Sequence, residues 1–237
     1  MITSRFKALT FDVFGTVVDW RTSVISELTA FGVQHGVEAD WVAFADAWRG
    51  LYQPAMQRVR DGDRDWTILD VLHRESLLTL LEDHGIEGLT ADDIDQLNRA
   101  WHRLDPWPDV VTGLHRLKRH FILATLSNGN VALLVNMAKR AGLAWDAILG
   151  AEATRTFKRL PEAYLGTARL LGLEPAQCLM VAAHNDDLVA ASQHGFGTAF
   201  VVRPTEHGPH QTTDLEAELD FDYVTTSFEA LADLLGA

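Results

Sequence analysis

Residues 6–16 read FKALTFDVFGT. An apolar run from Phe6 to Phe11, interrupted by Lys7 and Thr10, ends at Asp12, and Gly15 and Thr16 follow at once. Such a run, closed by an acidic residue and a glycine turn, predicts a buried strand with chemistry at its C-terminal end. Working outward, the rhythm changes twice. From about Thr22 to His102 the apolar spacing is helical. SVISELTAFGVQHG stops at Gly36, DWVAFADAWRGLYQPAMQRV carries Pro54 as a kink or break, and WTILDVLHRESLLTLLEDHG ends at Gly85. TADDIDQLNRAWHRL opens on a threonine N-cap signal with Asp92 and Asp93 in its first turn.

DPWPD (105–109) ends the helical stretch. Beyond it, helical segments alternate with apolar runs predicted as strands: FILATLS (121–127), AILGAE (147–152), CLMVAA (178–183) and TAFVV (198–202), with SFEALADLLG as the closing helix. Alternation of this kind implies a parallel sheet covered by helices on both faces. The expected fold is therefore α/β. A Rossmann-like, doubly wound core takes residues 1–17 and 106–237, and an all-helical cap domain is inserted at 18–105. Sites in open sheets lie beyond the C-terminal strand ends. That brings Asp12, Ser127, Lys158 and the 182–187 loop together beneath the insert.

Composition narrows the function. A chain of 237 residues with 47% hydrophobic and 22% charged residues is ordinary for a globular protein. A net charge of -13 argues against nucleic-acid partners, though a pocket's local field can still receive a small anion. The single Cys178 fits a reducing cytoplasm. No apolar run reaches the roughly 18 residues of a membrane helix, so no membrane partner is expected.

Asp12 in FDVFGT, LSNG (126–129), Lys158 and the acidic loop VAAHNDDL, in that order on an α/β frame, resemble the haloacid dehalogenase superfamily over essentially the whole chain. Most of that superfamily hydrolyses phosphate esters. A second aspartate two residues after the first moves the proton, and acidic residues of the last motif help to hold magnesium. Here those positions are Phe14 and Ala183. Phe14 cannot transfer a proton, and a magnesium site would lose a hard oxygen ligand. VVDWRTSV and AWRG (47–50) resemble instead the L-2-haloacid dehalogenase branch, whose aspartate attacks carbon.

The resemblance implies hydrolysis of short 2-haloalkanoic acids, haloacetates and L-2-halopropionates among them, through an aspartyl ester and without cofactor or metal. Asp12 is the expected nucleophile, oriented by Thr16. Lys158 would keep Asp12 ionised, and Asp187 would direct the hydrolytic water. Ser127 and the backbone N–H groups of Val13 and Phe14 would hold the substrate carboxylate. Arg49 and Asn128 would receive the halide. Tyr164 matches the family's tyrosine six residues after the lysine, and Trp66 is a candidate pocket wall.

The last motif departs from the branch. Ala182 and His184 stand where a serine and an asparagine are usual, and Asp186 where an aromatic is usual. His184 is the expected replacement halide donor, a choice suited to fluoride. VAAHN with HGPHQ (207–211) resembles a haloacetate-active subgroup. In FKRLPEAY, Arg159 and Leu160 separate Lys158 from Pro161, where the family has proline directly after the lysine. His207 and His210 form half of a metal site without a clear third ligand and are read as loop residues. A strained-ring hydrolase of azetidine-2-carboxylate type and a magnesium-dependent phosphatase are the alternative readings, and a homodimer is the partner state that the family suggests.

Overall fold

The computed structural model describes residues 5–237; residues 1–4 of the expected core lie outside them. Seven strands occur among the described residues: β1 (Ala8–Phe11), β2 (Val18–Asp19), β3 (Asp105–Pro106), β4 (Ile122–Thr125), β5 (Cys178–Ala182), β6 (Gly197–Val201) and β7 (Tyr223–Thr225). Five of them form an all-parallel sheet in the order β4-β1-β5-β6-β7. The opening stretch is its middle element, and every residue of β1 is buried. Phe11 is in register with Thr125 on one side and Val181 on the other, so three strands end level with Asp12.

The two faces of the sheet follow from side-chain alternation. Leu179 and Val181 of β5 join one hydrophobic cluster, and Cys178, Met180 and Ala182 join a second. The first cluster holds α6 (Val110–Leu117), α7 (Val131–Ala141) and α11 (Phe228–Leu235). Between α7 and α11 lie α8 (Ala151–Thr154), α9 (Pro161–Leu170) and α10 (Asn185–Gln193), and the last two supply the second cluster. Helices therefore cover both faces, as the alternating pattern predicts.

Between β2 and β3 the chain forms α1 (Trp20–His35), α2 (Trp41–Gly50), α3 (Tyr52–Arg60), α4 (Leu69–Asp83) and α5 (Ala91–Asn98), then a short 3₁₀ turn, Arg99–His102. β2 and β3 pair antiparallel, Val18 with Pro106 and Asp19 with Asp105, so the chain leaves and re-enters the sheet region through one two-stranded ribbon. The helical signals hold at several ends. Gly36 caps α1 in the left-handed conformation, and Thr90 forms a capping box with Asp93. The break near Pro54 falls earlier, at Leu51. Pro54 sits in the first turn of α3, where its missing N–H leaves no gap in the ladder.

One expected strand is absent. AILGAE makes only the isolated bridges Ala124↔Ala147 and Ser127↔Gly150 along the edge of β4. The Thr125 hydroxyl takes up both backbone groups of Leu149, and Gly150 turns at φ 133 into α8. A side chain thus satisfies what a ladder would have satisfied. The short strands β2, β3 and β7 have too few residues to show a period. Among the described residues no helix is long and apolar enough to cross a membrane.

The seat of α6 against α11 depends on Gly113. A Cβ there would lie 2.4 Å from Phe228 Cβ and 2.7 Å from its backbone carbon. Gly113→Ala should destabilise the protein by about 1–3 kcal/mol, lowering the melting temperature by about 2–4 °C per kcal/mol. An unchanged melting temperature by calorimetry would show that the two helices separate freely.

Candidate active site

The turn after β1 is built to present Asp12. Its N–H donates to Val181 O at 3.0 Å, and Val17 N–H closes the turn on Val13 O at 2.9 Å. Gly15 supplies the positive φ of 86° that this return needs. Four residues after Asp12, Thr16 Oγ1 donates back to Asp12 Oδ2 at 2.7 Å and accepts the Ala183 N–H at 2.8 Å. Ala183 therefore contributes its backbone, which fixes the rotor of the hydroxyl that orients the carboxylate.

Lys158 reaches the site despite the two residues inserted before Pro161. Its N–H donates to Asn128 Oδ1 at 2.8 Å, and Arg60 holds its carbonyl at 2.6 Å. From this backbone, held on both sides, Nζ donates to Asp12 Oδ1 at 2.7 Å and to Asp187 Oδ2. Tyr164, fully buried on α9, donates to Asp187 Oδ1 at 2.6 Å. Burial alone would push the Asp12 carboxyl upward. The Lys158 ammonium and the His184 ring outweigh it and hold Asp12 well below the usual carboxylate range. Burial likewise pulls Lys158 down, and Asp12 with Asp187 more than restores it. Burial first, and then Asp187, raises the Tyr164 hydroxyl, so it stays protonated as a donor.

His184, at the start of α10, faces a carboxylate from each ring nitrogen. Nδ1 lies 3.1 Å from Asp12 Oδ2 and Nε2 lies 2.9 Å from Glu206 Oε2. The reading of His184 as a halide donor does not fit this placement, because each ring nitrogen already faces a carboxylate. Burial opposes its protonation, but Glu206 and Asp12 raise it well above the ordinary imidazole value. Asp186 turns away from the cavity to pair with Arg159.

Sequence reasoning missed Glu206. It is 1% exposed and also accepts the Trp20 indole N–H at 3.1 Å. Its carboxylate occupies the space beside Gly15, where a Cβ would lie 2.0 Å from Oε1. The open side of Gly15 was the one available signal. His207, not His210, completes a group with His184 and Glu206 whose ligand atoms lie within 4.8 Å of one another. The donor types would suit a divalent ion. The Arg49 charge bears on both Glu206 and His207, however, and His184 Nε2 already serves Glu206. The arrangement is a hydrogen-bonded pair with a histidine beside it.

A cavity of about 60 Å³ lies over Asp12, and Phe14, Arg49, Asn128, Lys158, His184 and Asp187 line it. Phe14 meets Tyr52 and Trp101 edge-on, at 6.4 and 6.1 Å between centroids. Arg49 lies over the Tyr52 ring at 4.2 Å, and its buried NH1 has no hydrogen-bond partner. Asn128 Nδ2 donates to the Tyr52 hydroxyl at 3.1 Å. Tyr52, a second residue that the sequence reading passed over, thus orients both Asn128 and Arg49. Ser127 is fully buried, and its hydroxyl accepts the Gly129 N–H at 3.1 Å, outside the lining. The N–H groups of Val13 and Phe14 donate to no protein acceptor among the described residues. Trp66 packs on Phe157 at 4.8 Å rather than on the cavity.

Residues 6–195 match the haloacid dehalogenase-like hydrolase family. An (S)-2-haloacid dehalogenase of Xanthobacter autotrophicus is 30% identical over 212 residues, covering 83% of this chain and 75% of that protein. Among solved structures, a defluorinating L-2-haloacid dehalogenase superposes with a TM-score of 0.96 at 47% identity, covering 98% of this chain and 96% of the other. A second L-2-haloacid dehalogenase gives 0.95 at 44% identity, covering 98% and 99%. A phosphoglycolate phosphatase of Neisseria meningitidis matches only 38% of the chain, at 33% identity. With the carboxylate–lysine–carboxylate centre and the aromatic cavity wall in place, the chain belongs to the haloacid dehalogenase-like hydrolases, among the L-2-haloacid dehalogenases.

Proposed function

We propose that the protein hydrolyses short 2-haloalkanoic acids, releasing halide and the 2-hydroxy acid through an ester on Asp12. The observation that carries this reading is a buried carboxylate, bonded to Lys158, in a small cavity beside an Arg49 nitrogen that lacks a hydrogen-bond partner. A carboxylate is a weak nucleophile in water and a better one when desolvated and aimed. Displacement at carbon requires no proton for the leaving halide, which is why Phe14 suffices where a phosphatase needs a carboxylate. Magnesium is not expected to take part, because Ala183 supplies no oxygen ligand from its side chain.

Arg49 NH1 and the second Asn128 N–H are the donors left to receive halide as charge develops. The N–H groups of Val13 and Phe14 form a small nest for the substrate carboxylate. Asp187, held by Tyr164 and Lys158, directs water to the ester. The likeness to a defluorinating enzyme at 47% identity supports fluoride among the halides released. The division into a core of residues 1–17 and 106–237 and a cap of 18–105 belongs to the same reading, and the β2–β3 ribbon marks the crossing point.

Halide release should be measured from chloroacetate, fluoroacetate and both enantiomers of 2-chloropropionate, with EDTA present. Release that survives EDTA and is lost in Asp12→Asn is the expected result, and no halide from any substrate would overturn the reading. Lys158→Met should slow turnover by about 10²–10⁴-fold. It should also move the acid limb of the rate profile to higher pH, because Asp12 loses the cation that keeps it ionised and holds its proton longer. An acid limb that stays put would mean that Lys158 does not set the ionisation of Asp12.

A further inference from the structure

The two oxygens of Asp12 are not equivalent. Oδ1 accepts one hydrogen bond, from Lys158. Oδ2 accepts from Thr16 at 2.7 Å and faces His184 Nδ1 at 3.1 Å. A carboxylate oxygen has two in-plane lone pairs. Thr16 takes one lone pair of Oδ2 and the His184 ring faces that oxygen, while Oδ1, with Lys158 as its one donor, keeps a lone pair to attack carbon. Once Oδ1 carries the substrate, Oδ2 becomes the carbonyl oxygen of the ester, still between the Thr16 hydroxyl and the His184 ring.

We propose that Thr16 and the His184 imidazolium form an oxyanion hole for the second half-reaction, hydrolysis of the Asp12 ester, with Glu206 as the positioning residue for His184. The proposal rests on the aspartyl-ester reading above. Water oxygen bonds to Asp12 Cγ while the carbonyl π pair moves onto Oδ2, and Asp187 takes one water proton. Collapse of the adduct breaks the Cγ–Oδ1 bond, and the leaving alkoxide takes the proton from Asp187. The second water proton leaves to solvent as the Asp12 carboxylate re-forms. No other reactant is needed.

Charge makes the effect differential. In the ester, Asp12 is neutral and His184 loses one of its two anionic partners. In the tetrahedral adduct that partner returns on the same atom. His184 therefore favours the adduct over the ester, which is what accelerates a step. The charged groups nearest His184 are Asp12 from the turn after β1, Glu206 and His207 from the loop after β6, and Arg49 from α2; Asp46, Arg159, Asp186 and Asp214 line the outer side of the same pocket. Lys158 and Asp187 stand beyond the Asp12 carboxylate. Glu206 is the one with both a direct bond to Nε2 and near-complete burial, so it fixes the ring's tilt and its proton together.

Rapid-mix kinetics with chloroacetate, joined to intact-protein mass measurement, tests this. Wild type should release halide continuously without accumulating ester. His184→Gln should give one equivalent of halide at a rate within about tenfold of wild type. Turnover should then slow by about 10²–10³-fold, with a carboxymethyl ester on Asp12. Glu206→Gln should accumulate the same ester to a smaller degree, and the alkaline limb of its second step should fall at lower pH, because His184 gives up its proton sooner. A burst in either variant shows that its site has folded. Halide release slowed in proportion to turnover, with no ester in either variant, would overturn the proposal. Failure of the wild type itself to release halide would instead remove the aspartyl-ester reading.

Discussion

Everything at this site depends on keeping Asp12 charged inside the protein. Taking an ion out of water costs several kcal/mol even after relaxation. Only close, well-aligned opposite charges and hydrogen bonds can offset that. Around the cavity Asp12, Asp187 and Glu206 face Lys158, His184 and Arg49, and Arg159, also in the lining, is paired with Asp186. The balance holds only while His184 carries its proton. With a neutral imidazole Asp12 and Glu206 would lose the cation between them, on a chain whose overall charge is already -13.

That balance explains why residues far apart in the chain converge. Glu206, after β6, reaches the site because Gly15 leaves room for it beside the Asp12 turn. Trp20, the first residue of α1, donates to the same carboxylate. Trp20 also stacks on Trp101, which meets Phe14 edge-on. The helical layer and the charged centre are therefore one packed unit. In the proposed function Phe14 stands where a phosphatase would carry a proton-transferring group, so the aromatic wall and the choice of carbon over phosphorus would be linked at a single position. His73 shows how dry this wall is. It stacks on Trp101 at 4.5 Å with neither ring nitrogen bonded, and its burial pushes it down to about 3.

The legible parts of the sequence were those with a period or a local cap. β1, β4, β5 and β6 are short apolar runs between helical patterns. Thr90 and Gly36 mark helix ends by their own chemistry. Asp12, Thr16, Lys158, Asp187 and Tyr164 sit at strand ends or at helical spacing, and the fold brings them together. Residues whose partners come from tertiary contacts alone were not legible. Glu206 and Tyr52 carry no spacing signal. AILGAE has the composition of a strand, but the Thr125 hydroxyl takes its place in the ladder. The direction of His184 could not be read without Glu206, because an imidazole faces whichever acceptor lies nearest.

The same geometry shows why the donors on Asp12 are divided as they are. Every hydrogen bond to a carboxylate lowers its nucleophilicity, so a site that surrounded both oxygens equally would slow the attack on carbon. Concentrating Thr16 and His184 on Oδ2 leaves Oδ1 with Lys158 alone. Lys158 is shared with Asp187, which further weakens its hold on Oδ1. In the proposed reaction one oxygen would thus be left free to react while the other is held to accept charge. A single carboxylate would serve first as nucleophile and next as electrophile, with the two roles divided between its oxygens.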